Sequence, residues 1–480
     1  MAKLTPPFGE PGGLIVCATR EQLLFASLVA QEQTITSKLP VKGIPRRVLY
    51  SSYLNKLVVA SERVKGIPRV LDRPYPDIVE TRPTDPTADP KDAPTVTFPK
   101  IEAMVQVNLQ IIDPNWKASS KLTTIPITED PNLRVTALIE WEFDQDDRGG
   151  KKALWVVMAL EQHGGSPGHT VGRIIALNAK DIKKEHGIPN QRVLYRSLKG
   201  SIKALCAYGK SSLLIAAANE ILLHHLDLTV MKWRTLSRYQ LPSPANSISC
   251  QGSTIFVATS CHSLVVLVER NAELVLHKAD NAAKNLKNVI PFEEDSAIFS
   301  SFDNEGTHLI AFSDFNQDAG PPEPMFRADL PLDIDRIHLR NSFGTKQQGR
   351  HQFYASTADS TLYNFSTLTY EEWKLLHFLE ELSHMDRDVI KAAPMRKRNV
   401  ENKPVVFSFS NTKLSDAHIR GDRLLMMIEP GPYNLRHLLR SPEQHRNLEN
   451  LAAPVVGETE HPVDAVMIWV RKLFRFRPQW

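Results

Sequence analysis

SLLIAAANEILLHHL at residues 212–226 and TIFVATSCHSLVVLVE at residues 254–269 each contain two short apolar runs separated by turn residues. Runs of this kind, rich in Val, Ile and Leu, are typical of β-strands that are joined by tight turns. Similar runs recur over the first 365 residues, where long helical patterns are absent. Strands without crossover helices indicate antiparallel sheets, which form a sandwich, a barrel or a propeller.

The number of strands favours the propeller. One four-stranded blade takes roughly 40 to 50 residues, so this part of the chain would supply roughly six or seven blades. Two insertions are predicted to be disordered, at about 69–100 and 314–333. The first holds seven prolines and six acidic residues, too little apolar surface to offset its ordering entropy. Gly43–Tyr50 resembles Gly187–Tyr195, which suggests an internal repeat.

After Phe365 the period becomes helical. Thr369–Glu372 and Ser441–Gln444 are each predicted to form a capping box at a helix start, the second with Pro at the first helical position. Leu375, Leu379 and Leu382 have the spacing of one apolar helix face. Two further segments are predicted to be helical, Ile419–Ile428 and Tyr433–Leu439. A small helical domain is therefore predicted at 366–453.

Composition limits the class of protein. The chain has 480 residues, 42% of them hydrophobic, with a net charge of +4, which argues against a histone-like binder of polyanions. Four cysteines without a CxxC motif favour a reducing compartment. No apolar stretch is long enough to predict a membrane span, and the N-terminus does not resemble a secretory signal.

Catalytic motifs are missing from the sequence. There is no GxGxxG, Walker A, GxSxG or HExxH pattern, and no cofactor or metal is expected. His224 and His225 are neighbours in a predicted strand, so their side chains should lie on opposite faces, one packed and one exposed. Other candidate metal ligands are interpreted as structural residues. They are His437 and His445; Cys250 and Cys261, as small core residues; and Asp144, Asp146 and Asp147, as a solvated acidic turn.

Four groups of segments carry a resemblance to a known family. They are Leu39–Tyr50 with Leu57–Ser61; Gly172–Leu177 with Lys199–Cys206 and Leu213–Ala217; Phe353–Leu362 with Tyr370–Leu376; and His418–Leu425. Their order and spacing resemble the C-terminal region of large scaffold subunits. This family includes the cleavage and polyadenylation specificity factor A subunit, the large damaged-DNA-binding protein and splicing factor three-b subunit three. In the last segment Arg420 and Arg423 depart from the family pattern.

The resemblance implies a mainly β fold, in which a seven-bladed β-propeller, complete or incomplete, at 39–365 is followed by the helical domain. Residues 1–38 would be the end of a preceding propeller or stray strands, and 454–480 a flexible basic-aromatic tail. The resemblance also implies that the protein is a non-catalytic scaffold of a nuclear complex. That complex would act in mRNA 3′-end processing, in splicing or in DNA-damage ubiquitin-ligase assembly. The partners of the scaffold would be other protein subunits. The alternative is a propeller enzyme, a hydrolase or lyase, with its active site at the central channel.

Two basic elements are candidate binding sites. The tail places aromatic rings, which can stack on bases, among cations that can contact phosphates of RNA or DNA. The residues considered for this nucleic-acid contact are Arg471, Lys472, Phe474, Arg475 and Arg477. The alternatives for this segment are a helix docked on the domain and an anchor for acidic lipid. Arg396, Lys397 and Arg398 are either a nuclear-import cluster or a solvated turn.

Overall fold

The structure is a computed structural model. It describes residues 14–18, 22–28, 34–65, 104–113, 123–131, 133–144, 152–163, 170–183, 191–209, 211–227, 232–280, 282–293, 296–303, 306–313, 315, 322–330, 334–340, 352–357, 362–385, 395–398, 404–407, 419, 421–428 and 434–474. The chain forms two compact units. One consists of 18–23 and 40–202; the other consists of 1–17, 24–39 and 203–480.

Most of the chain forms sheets of strands that follow one another in sequence. A first sheet has the order β1 (Leu14–Ala18), β2 (Gln22–Leu28), β3 (Thr34–Pro40). In the unit 40–202, two four-stranded sheets follow: β4 (Ile44–Ser51), β5 (Lys56–Lys65), β6 (Met104–Ile112), β7 (Thr123–Pro131), and then β8 (Leu133–Asp144), β9 (Lys152–His163), β10 (Thr170–Asn178), β11 (Gln191–Lys199). A short helix, α1 (Ala179–Lys183), lies between β10 and β11.

The remaining sheets begin at residue 202. They are β12 (Ile202–Tyr208), β13 (Ser212–Ala217), β14 (Glu220–Asp227), β15 (Lys232–Gln240); β16 (Ala245–Gln251), β17 (Thr254–Thr259), β18 (Leu264–Arg270), β19 (Glu273–Ala279); β20 (Asn285–Glu293), β21 (Ser296–Asp303), β22 (Gly306–Ser313), β23 (Glu323–Leu330); β24 (Ile334–Arg340), β25 (Gln352–Thr357), β26 (Leu362–Ser366); and the pair β27 (Met395–Arg398), β28 (Pro404–Phe407).

Sequential antiparallel sheets of this form are the blades of a β-propeller. Within the described residues, and apart from the first sheet β1–β3, there are six blades, five of four strands and one, β24–β26, of three. The predicted mainly β fold with C-terminal helices is therefore confirmed, whereas the seventh blade is not. The first apolar run of each stretch, Ser212–Ala217 and Thr254–Thr259, forms strand β13 and strand β17, as predicted.

Two expectations about the strands need correction. The segment 314–333, predicted to be a disordered insertion, contains β23, which pairs with β22 from Thr307–Leu330 to Ser313–Glu323. The backbone hydrogen bonds between β23 and β22 order this part of the segment, although its composition is typical of turns. The resemblance between Gly43–Tyr50 and Gly187–Tyr195 does not mark equivalent blade positions, because β4 is the first strand of its blade and β11 the last. The insertion at 69–100 lies outside the described residues.

In the unit 40–202, the first two blades share one apolar core and a buried polar contact. Val58, Leu109 and Met158 are fully buried in that core. Glu62, only 4% exposed, accepts a hydrogen bond from Arg46 Nε at 2.7 Å. Its other oxygen accepts one from the backbone N–H of Val135 on the next blade, also at 2.7 Å. A buried carboxylate needs such donors, since an unpaired one would be costly.

The C-terminal helices pack around one apolar cluster. They are α2 (Tyr370–Met385), α3 (Gly421–Ile428), α4 (Leu435–Leu438), α5 (Pro442–Val456) and α6 (Pro462–Phe474). Both predicted capping boxes are present. At α2, the Glu372 N–H donates to Thr369 Oγ1 at 3.3 Å and the Thr369 N–H donates to Glu372 Oε2 at 3.0 Å. Ser441 and Gln444 do the same at α5, with Pro at the start.

The segment 454–480, predicted to be a flexible tail, is helical over much of its length. Helix α6 places Val466 and Val470 in the helical core, both fully buried. These valines are four residues apart and so share one face of the helix. Arg471 and Lys472, which directly follow Val470, obscured this face in the sequence. Residues 475–480 lie outside the described part.

Candidate partner-binding surfaces

The edge strands of two neighbouring blades expose apolar and cationic side chains together. On β15, Leu236 is 37% exposed, and on β19, the edge strand of the next blade, Leu276 is 51% exposed. Lys232, Arg234 and Arg238 are exposed on β15, which contains no acidic residue. We refer to these side chains as the edge-strand patch. Exposed apolar side chains beside cationic ones could contact an apolar and acidic segment of another chain.

The two strands of the patch contact each other directly. The backbone N–H of Leu274 on β19 donates to Ser237 Oγ on β15 at 2.9 Å. Leu236 precedes Ser237 and Leu276 lies two residues after Leu274, so both exposed leucines belong to the two strands that this hydrogen bond joins. Arg234 pairs with Asp227 at 2.8 Å but keeps 62% of its side chain exposed. Such an exposed pair contributes only about 0–1 kcal/mol, so the guanidinium remains accessible to a partner.

A buried histidine lies beneath this cationic strand. His224 on β14 is 1% exposed, and its Nδ1 lies 3.4 Å from Thr235 Oγ1 on β15. Burial and the charge of Arg238 lower the pKa of His224 to about 4, so the ring is neutral near pH 7. The prediction that the two rings lie on opposite faces is confirmed, but His225 is half-buried and not exposed, with its Nδ1 3.2 Å from the hydroxyls of Ser211 and Ser212.

A second candidate surface is an aromatic ridge on α2, formed by the exposed Tyr370 and the half-buried Trp373 and His377. The Tyr370 ring is stacked on Trp373 with centroids 6.0 Å apart, and His377 lies 5.0 Å from Trp373. Tyr370 is 66% exposed, and Lys374 Nζ lies 4.1 Å from the centre of its ring. Residues three and four apart share a helix face. The ridge therefore lies opposite the buried leucines of the same helix.

The predicted basic-aromatic site is only partly described. Arg471 Nη2 donates to the carbonyl of Ile428, the last residue of α3, at 3.0 Å. A cation at a helix C-terminus satisfies a carbonyl that has no partner within the helix. Lys472 is exposed, and Phe474 ends α6. Arg475 and Arg477 lie outside the described residues. The segment up to Phe474 is thus a docked helix, and nucleic-acid contact stays a prediction.

The predicted import cluster lies on a strand. Arg396, Lys397 and Arg398 belong to β27, and Arg396 and Lys397 pair with Val406 and Val405 of β28. The solvated turn considered for this segment is therefore not what the backbone forms. A role in nuclear import stays a prediction.

The remaining candidate ligands are separated in the structure. His437 and His445 are exposed on α4 and α5. Cys261 was predicted to be a core residue but is exposed, because it lies in the turn between β17 and β18. Cys250 is half-buried beside Cys206. Asp144 ends β8, while Asp146 and Asp147 lie outside the described residues.

Two features are absent from the residues that the structure describes. No group of three or more His, Cys, Asp or Glu side chains in this part of the chain is arranged to hold a metal ion. None of its helices has the length and apolar character needed to cross a bilayer.

The blades and exposed edge strands define a β-propeller protein with surfaces suited to binding other macromolecules. Residues 106–403 match the family model of the CPSF A subunit region. The match covers more than half of the chain, so the chain belongs to this family, and the resemblance found in the sequence is confirmed. No curated protein matches the chain.

Proposed function

We propose that the chain is a non-catalytic scaffold subunit of a nuclear complex. The complex acts in mRNA 3′-end processing, in splicing or in DNA-damage ubiquitin-ligase assembly. The observation that supports this most is the family match over residues 106–403, since members of the family are generally non-catalytic scaffolds. Rigid blades provide a fixed frame, and their exposed edges and loops are where such folds bind partners.

The edge-strand patch is the surface that we propose for a protein partner. Leu236 and Leu276 would enter an apolar contact, while Lys232 and Arg238 would face acidic residues. The partner segment is therefore one that carries an apolar side chain flanked by Asp or Glu. Apolar centres with charged borders are the usual anatomy of protein interfaces, and the charges at the border mainly set the association rate and specificity.

Affinity purification of the tagged full chain tests the proposal. We expect polyadenylation factors, splicing factors or cullin components to be recovered, and their identity separates the three branches. The double variant L236E/L276E should lose most of this recovery. The matched control is Ile44→Glu, because Ile44 is 36% exposed but lies on β4, in the other unit. Recovery of none of these components, or equal recovery with the double variant and the control, would contradict the proposal.

A further inference from the structure

Two cysteines that are distant in sequence lie side by side in the structure. Cys206 is on β12 and Cys250 on β16, the first strands of neighbouring blades. Their sulfur atoms are 3.3 Å apart, although the residues are 44 positions apart in the chain. Both sulfurs also lie near the carbonyl oxygen of Ala207, at 3.4 Å from Cys206 and 3.1 Å from Cys250. The carbonyl and the facing strands hold the two thiols against each other.

We propose that Cys206 and Cys250 form a reversible oxidation site, at which a peroxide converts the thiol pair into a disulfide between two blades. The sulfurs in a disulfide are about 2.0 Å apart, so they must approach by roughly 1.3 Å. A thiol pair that can close in this way is a redox-sensing site in a reducing compartment, where permanent disulfides are rare. Nothing in the scaffold role requires these thiols, so the site is independent of the proposed function.

The chemistry begins at Cys250. The hydrogen bond from Cys206 lowers the pKa of the Cys250 thiol, whereas the same hydrogen bond, together with burial, raises the pKa of Cys206. Cys250 is therefore the better source of thiolate, the nucleophilic form. Its sulfur attacks one oxygen of hydrogen peroxide, and the O–O bond breaks. The products are a sulfenic acid on Cys250 and hydroxide, which takes up the proton lost by the thiol to become water.

The second step closes the disulfide. Cys206 loses its proton, and its sulfur attacks the sulfenic sulfur of Cys250. The S–O bond breaks, and the leaving hydroxide takes up that proton. Two thiols and one hydrogen peroxide thus give one disulfide and two waters, and the cysteines lose the two electrons that the peroxide gains. A low-molecular-weight thiol reverses the reaction by thiol–disulfide exchange.

Cys261 serves as the internal comparison for accessibility. It is exposed, and its sulfur lies 3.7 Å from Ser260 Oγ. If exposure alone controlled oxidation, Cys261 would react first. If the paired geometry controls which bond forms, the disulfide should join Cys206 and Cys250 and leave Cys261 out.

The test uses the full folded chain. It is treated with hydrogen peroxide, alkylated with N-ethylmaleimide, digested without reduction and analysed by mass spectrometry. We expect a linked peptide pair containing Cys206 and Cys250, with loss of their alkylated forms and return of both after dithiothreitol. The variant C261S should give the same linked pair. In C206S, dimedone should trap a sulfenic acid on Cys250.

Two results would overturn the inference. One is full alkylation of Cys206 and Cys250 after peroxide has already oxidised Cys261. The other is a mixture in which Cys250 is linked to Cys261 or Cys17 as often as to Cys206. Both results are measured on the wild-type chain, so the test does not depend on the folding of a variant.

Discussion

Gly43 shows how one residue limits the path of the chain into β4. Its φ of +95° lies in the left-handed region, and a Cβ at this position would lie 2.6 Å from the carbonyl oxygen of Glu62. Gly209 also has a positive φ, +55°, but a Cβ there would meet nothing within 4 Å. The two glycines therefore separate the cost of backbone strain from the cost of crowding.

We expect Gly43→Ala to lower the free energy of unfolding by about 3 kcal/mol and Gly209→Ala by about 1 kcal/mol. Strain acts in both variants, whereas the clash with backbone acts only in the first. Urea unfolding monitored by tryptophan fluorescence measures both. Equal losses would show that the neighbourhood of Gly43 relaxes and that crowding does not matter there.

His224 predicts a pH dependence of stability. Its pKa is lowered from 6.5 to about 4 in the folded protein, so the unfolded chain takes up the proton first as the pH falls. The stability that His224 contributes is complete above about pH 6.5 and falls progressively toward pH 4, by up to about 3 kcal/mol. The charge of Arg238 and burial are the causes of this shift.

The measurement is urea unfolding at pH 7 and pH 4.5 for the wild type and His224→Gln. Between these pH values the variant should lose less stability than the wild type, because it has no ring to protonate. His225→Gln is the control, because it removes an imidazole from the same strand but keeps the buried ring of His224, so the loss of stability that His224 causes at pH 4.5 should persist. If His224→Gln has the same pH dependence as the wild type, the interpretation of the buried ring is wrong.

At the scale of elements, helix α6 is the clearest test of packing. Val470 is fully buried in the helical cluster, whereas Ile468, two residues earlier, is 51% exposed. Val470→Asp puts a carboxylate into an apolar site and should cost about 3 kcal/mol or more. Ile468→Asp should cost less than about 0.5 kcal/mol, the usual range for exposed positions.

Hydrogen exchange over residues 462–474 measures this difference. Val470→Asp should remove protection from α6 and from α3, whose last carbonyl is bonded to Arg471. Ile468→Asp should leave both helices protected. Similar exchange in the two variants would mean that α6 is not docked as described.

The elements also show what the sequence could predict. Apolar runs such as Thr254–Thr259 predicted their strands well, because the inner strands of a blade are buried on both faces. The edge strands β15 and β19 were not predicted, since Lys232–Gln240 is largely exposed and has no regular alternation of burial. The edge-strand patch lies on these two strands and was missed for the same reason. The capping boxes were predicted because they depend only on local spacing.

For the whole molecule, contacts between residues that are far apart in the chain could not be predicted from the sequence. The contact between Glu62 and the Val135 N–H spans 73 positions, and the pair Cys206–Cys250 spans 44. Neither leaves a local pattern, because each depends on how one blade packs on the next. The number of strands predicted the propeller, the capping boxes and the apolar period predicted the helices, and the family resemblance agreed with both, while the number of blades depended on the observed strand order.

The scaffold role makes a prediction about mass. A scaffold is held by its partners, so the chain in a nuclear extract should migrate well above the 54.1 kDa of the single chain. The most direct measurement is size-exclusion chromatography of such an extract at physiological salt, with the tagged full chain detected in each fraction. We predict co-elution with polyadenylation, splicing or cullin-ligase components at a mass several times that of the chain. Elution of the folded chain alone, at its own mass of about 54 kDa, would contradict the scaffold role.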